Sequence, residues 1–183
     1  MFRVPRKRIS AGDLARDFVW QTFKTADRTL GDCTDSILRI LLKNGFRPDD
    51  FPVLLEKEKL RNAYFLGLLA MGIVDLGNSV DHRTALRVGE KLQHLLRFPS
   101  GLGERSAAAL VAEHLRAVEA EAAEMPAHEA IALRMMAHIG VTPHEPDRAL
   151  FRNPLAVTAL SRHLVAVGTG WWNGATEQVK VAA

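Results

Sequence analysis

The chain has one cysteine, one tyrosine and no apolar run approaching the length of a membrane span. Each shortage excludes something. A lone Cys33 rules out an intramolecular disulfide, and nothing in cysteine usage favours an oxidising compartment. Asp32 and Asp35 flank that sulfur with carboxylates, which disfavour a thiolate, so Cys33 reads as a structural thiol. The longest apolar run, Ala63 to Val74, stops at Asp75 and suits a buried core helix, so no membrane insertion is expected. The basic residues near the start are not followed by the apolar stretch of an export leader, and a cytoplasmic setting is the expectation. No segment alternates apolar and polar residues over a strand's length, and no internal repeat or low-complexity tract occurs. Catalytic signatures are missing as well. There is no Gly-x-Ser-x-Gly elbow, no phosphate-binding Gly-x-x-x-x-Gly-Lys, no His-Glu-x-x-His and no Cys-x-x-Cys, which points away from an enzyme.

What is present is helical. With 183 residues, 48% apolar and 25% charged, the chain can bury one ordinary hydrophobic core. It is rich in Ala, Leu, Arg and Glu, and the expected fold is all-α, a single domain of about seven helices in an orthogonal or bundle-like packing. The formal charge of +3 is concentrated at one end, because Arg3, Arg6, Lys7 and Arg8 all precede the first acid, Asp13. The body is near neutral, and the stretch from Leu102 to Asp147 is acidic. Residues 1–9 therefore read as a basic flexible arm, 10–168 as the helical domain, and 169–183 as a C-terminal turn and tail.

The helices carry start and stop signals. Ser10 opens a first helix to about Thr29, and Thr34 opens a second from Asp35 to Asn44, closed by Gly45. Pro48, Asp49 and Asp50 open a third that runs to about Leu76. Ser79 starts a fourth, whose seam reads Ala85, Val88, Leu92, Leu95 and Leu96 before Pro99 ends it. The fifth, Glu104 to Glu124, has an apolar stripe containing Ala107, Val111, His114, Leu115 and Val118. A sixth covers Ala127 to Ile139, and Asn153-Pro154 begins a seventh that ends near Val167. Gly101-Leu-Gly-Glu-Arg-Ser106 superficially matches a dinucleotide fingerprint. No strand precedes it and Ser106 stands in place of the last glycine, so it reads as an interhelical loop.

Three sets of residues are candidates for function. Trp171 and Trp172 sit together in a glycine-rich turn, where two large aromatics either cap the core or anchor a partner. With Trp20 off its helix stripe and an Ala-rich fifth helix, they suggest a non-enzymatic interaction or regulatory module, self-associating or bound to a protein partner. Second, His114 and His138 each lie twelve positions from Pro126. An antiparallel hairpin about that proline brings the two imidazoles to one level. Neutral imidazoles there suit a pocket for a metal, haem or small apolar ligand, although two ligands alone make no metal site and no cofactor is implied. His94 lies with Glu90, Lys91 and Arg97, away from the apolar seam, and reads as surface. Third, Arg3, Arg6, Lys7 and Arg8 could contact nucleic-acid phosphates, but a helix-turn-helix around Asn44 to Pro48 would present Asp49 and Asp50 to DNA, so nucleic acid is not the expected partner.

Overall fold

The computed structural model describes residues 7–43, 47, 56–121, 124–138, 162, 166 and 179–181, and every element below lies within them. Ser10 begins the helical body. Its hydroxyl accepts a hydrogen bond from the Asp13 amide at 3.0 Å and donates to the Asp13 carboxylate at 2.6 Å, closing the first turn of α1 (Ala11–Lys43). The break expected between Thr29 and Asp35 does not occur. Ala26, Leu30, Cys33 and Ile37 are all buried at helical spacing, so one stripe runs straight through the supposed turn. Thr34, read as a cap, instead donates its hydroxyl to the Leu30 carbonyl one turn back at 2.8 Å. The first two expected helices are thus one helix of 33 residues.

The second helix, α2 (Lys57–Ser79), is the axis of the fold and packs against all the others. Ala63 to Gly72 are buried without interruption, which is what a helix apolar on every side requires. By length and composition α2 could cross a membrane, with a mean hydropathy of 1.2; 67% of that stretch is buried within the protein. It also continues past Gly77 to Ser79, so Ser79 ends α2 rather than capping the next helix. Asp81 does the capping: its carboxylate accepts from the Thr84 amide at 3.0 Å and the Thr84 hydroxyl at 2.7 Å, at the start of α3 (His82–Leu95).

After a loop come α4 (Ala107–Glu121) and α5 (Ala127–His138). Among the described residues there are therefore five helices, and the class is all-α. Glu56 is not helical and α2 starts at Lys57, so the expected third helix does not run unbroken from Pro48; its opening there and the expected seventh helix lie outside the described residues, apart from Arg162 and Ala166, which are helical and exposed. Outside the helices the described residues also form a short ladder. Strand β1 (Lys7–Ile9) pairs in parallel with strand β2 (Val179–Val181), so the end of the basic arm is joined to the C-terminal tail.

α1 and α2 run antiparallel in close contact. Gly72 lies directly under the Phe18 ring, where a Cβ would come within 2.5 Å of a ring carbon. Further along, Tyr64 and Thr29 share a hydrogen bond of 2.9 Å between their hydroxyls. α5 crosses the opposite side of α2, with Met135 over Gly67 and Ile131 against Ala70 and Met71. The core is thus a continuous layer on both sides of α2; α3 packs on α1, α4 packs on α2 and α5, and α3 and α4 meet mainly at the loop that joins them.

Candidate functional site

The α3–α4 hairpin is stitched at its closed end. The Ala108 amide donates to the Leu96 carbonyl, the Ala107 amide to Phe98 (both 2.9 Å), and the Ser100 amide to Arg105 at 3.1 Å. Gly101 and Gly103 take positive φ angles of 70° and 85°, which the connecting loop needs to reverse direction. A Cβ at Gly101 would also strike the Asn62 amide of α2 at 2.2 Å. This is the loop that superficially resembled a dinucleotide fingerprint. Its Ser106 caps α4 instead, with its hydroxyl accepting from the Ala109 amide at 3.3 Å.

Between the two helices of this hairpin lies a cleft of about 450 Å³. Its size falls in the range of small-molecule sites. Leu92 and Leu96 of α3 and Val111 and Leu115 of α4 form apolar walls, and Ile73 of α2 contributes from behind. The space exists because the facing residues are small. Gly89 on α3 has nothing within 4 Å of a notional Cβ, and Ala108, Ala109 and Ala112 face it from α4. Arg97, Gln93 and Ser106 supply its polar lining. No sequence motif points to this cleft; its signal is Gly89 on one helix opposite the small residues Ala108, Ala109 and Ala112 on the next. Leu95, assigned to the seam, is exposed at its edge.

One turn along α4 from the cleft-lining Val111, the structure brings together the two predicted histidines. The His114 and His138 rings lie 5.1 Å apart, centroid to centroid, and are tilted by 34°. Val118 packs with Ile131 further along, so α4 and α5 run antiparallel, as the spacing about Pro126 required. His114 is fully buried, and its Nδ1 is 2.7 Å from the Leu110 carbonyl, which makes Nδ1 the protonated nitrogen of the neutral ring. The Nε2 atoms of both histidines are buried with no hydrogen-bond partner among the described residues. Burial pushes the His114 pKa down to about 4, against the backbone hydrogen bond that favours the charged ring. The His138 pKa is lowered by burial too, and the Glu113 carboxylate, paired with Arg105, pulls the other way on both. Among the described residues no group of three His, Cys, Asp or Glu side chains could hold a metal ion, so the pair has no third ligand there.

The remaining candidates separate. His94 is exposed, as its wheel position implied. Cys33 is buried, and burial, rather than its acidic neighbours, pushes its pKa up to about 12. Trp20 is 55% exposed, stacks on Phe23 at 6.3 Å and lies under Lys24, whose Nζ is 5.0 Å from the ring centre. Lys7 and Arg8 belong to β1. Arg3, Arg6, Trp171 and Trp172 lie outside the described residues. Asp75, which no motif had singled out, has a buried carboxylate oxygen without a partner among the described residues, and burial raises its pKa. Compared with protein-family models, curated proteins and solved structures, the chain matches none.

Proposed function

We propose that the chain binds a small apolar ligand in the α3–α4 cleft, beside the helix that carries His114. The cleft itself carries the reading: about 450 Å³ of mostly apolar space, walled by ordered helices and closed at one end by the hydrogen-bonded loop. Val111 and Leu115 line it, and His114, one turn from Val111 in the same apolar stripe, meets His138 of α5, so a ligand pressing on this wall lies beside the imidazole pair. The apolar part of the cleft asks for shape and burial, at about 25 cal/mol per Å² of apolar surface removed from water. Titrating the isotopically labelled protein with 1-decanol and following amide NMR shifts tests this. Saturable shifts confined to α3 and α4, lost in Ala112→Trp, are the expected result; shifts that never saturate, or that survive in that variant, would sink it.

A second reading, a self-associating interaction module, is favoured by a separate observation: the exposed Trp20–Phe23 stack on α1. Aromatic residues with cations over their faces are characteristic of contact surfaces. On this reading sedimentation analysis finds a dimer that weakens in Trp20→Ala, or when Trp171 and Trp172 are both replaced by alanine. A monomer at every concentration refutes it.

A further inference from the structure

The charge on the cleft is one-sided. Its lining contains no Asp or Glu, and Arg97 is its one charged residue. Arg97 is exposed, and no carboxylate among the described residues pairs with it. It sits at the stitched end of the hairpin, just past Leu96, whose carbonyl holds the Ala108 amide. At the same end the lining includes Ser106, Ala108 and Ala109, where the amides of Ala107 to Ala109 are already hydrogen-bonded, so Arg97 is the cation that marks this end. Gln93, one turn before Arg97, adds a neutral donor. Away from this end the lining becomes Gly89, Leu92, Ala112, Leu115 and Ile73, and Gln93, next to Leu92, is the one polar side chain at that level. From Ser106 to Leu115 the helix rises about 13 Å at roughly 1.5 Å per residue. The cleft is therefore an apolar slot with a positive head.

We infer that its ligand is a single-chain amphiphilic carboxylate, a medium-length fatty acid or an arylalkanoic acid, with the carboxylate against Arg97 and the tail lying along α4 towards Leu115. The guanidinium fork matches a carboxylate in two parallel hydrogen bonds, which a neutral head of the same length cannot supply. This assignment rests on the cleft being a ligand site, as proposed above, and adds the identity of the head group.

The test compares decanoate with 1-decanol, below their aggregation limits, by calorimetry and NMR on the whole chain. Decanoate should bind about tenfold more tightly in low salt, the margin of one charge-assisted contact. That margin should shrink as salt is raised. In Arg97→Gln, an exposed position where folding is not at stake, decanoate should fall to the affinity of decanol while decanol is unchanged. Equal binding of the two in the unaltered protein, or a preference that persists in Arg97→Gln, overturns the head-group assignment and leaves the apolar cleft standing. If neither probe binds, or if Ala112→Trp, checked for folding by circular dichroism, leaves binding intact, the cleft reading and this inference fall together.

Discussion

Two glycines on neighbouring helices show how differently the two sides of this protein are packed. Gly72 of α2 is a hole that α1 fills, since the Phe18 ring occupies the space where its side chain would be. Gly89 of α3 is a hole that nothing fills, and it borders the cleft. The residue type is the same and both positions are inside helices, where glycine is the costlier choice. The α1–α2 seam uses its glycine to bring two helices together, while the α3–α4 seam leaves the same saving in volume as empty space. Protein interiors are normally close-packed, so the filled seam is where stability is held, and the unfilled one is the place the ligand proposal rests on.

The contrast can be broken most directly at its filled side. Phe18→Ala removes the ring from a fully closed seam and should cost about 4 kcal/mol in urea unfolding. A cost below about 1 kcal/mol would mean that the seam relaxes freely and the two glycines are not different in kind. Next comes the α4–α5 seam, through acid. Folded His114 has a pKa near 4, below the 6.5 of an exposed histidine, so between those values the unfolded chain takes up a proton that the folded chain refuses. Its contribution is fully present above pH 6.5 and is lost as the pH falls towards 4, about 3 kcal/mol at roughly 1.4 kcal/mol per unit. His114→Gln should flatten that part of the stability profile in denaturant titrations at stepped pH. Gly72→Ala follows, at about 2 kcal/mol of destabilisation from driving a methyl into Phe18. The smallest effect has the opposite sign. Gly89→Ala should raise stability by about 0.5–1 kcal/mol, because the helix gains propensity and the methyl meets nothing. If Gly72→Ala and Gly89→Ala shift the unfolding midpoint in the same direction, the comparison fails.

Much of this architecture is readable from residues alone, for reasons that are local. The helical class follows from composition and from the apolar stripes, and Ser10 announced the start of α1 because its capping geometry is confined to one turn. The meeting of His114 and His138 follows from equal spacing about Pro126, since antiparallel helices joined by a short turn must pair residues in that order. Thr34 and Ser79 misled because each is a plausible cap in isolation. What decides is whether the buried stripe continues past them, as it does at Cys33 and Ile37, or whether a better oxygen follows, as Asp81 does. The cleft was the least legible feature. It is a difference between how two pairs of helices approach, and no single window of sequence contains both Gly89 and Ala112.

The pairing of Lys7–Ile9 with Val179–Val181 has a kinetic consequence. It joins residues separated by almost the whole chain, and closing so long a loop costs about 4–5 kcal/mol in entropy when nothing between is ordered. Three residue pairs in an isolated two-stranded ladder do not meet that cost by themselves. The ladder therefore forms after the helices have docked and shortened the effective loop, and it opens before any of them unfold. In native-state hydrogen exchange its amides should be among the first to exchange, at a free energy well below that of global unfolding. It is a latch on a finished body, contributing little to how that body is reached.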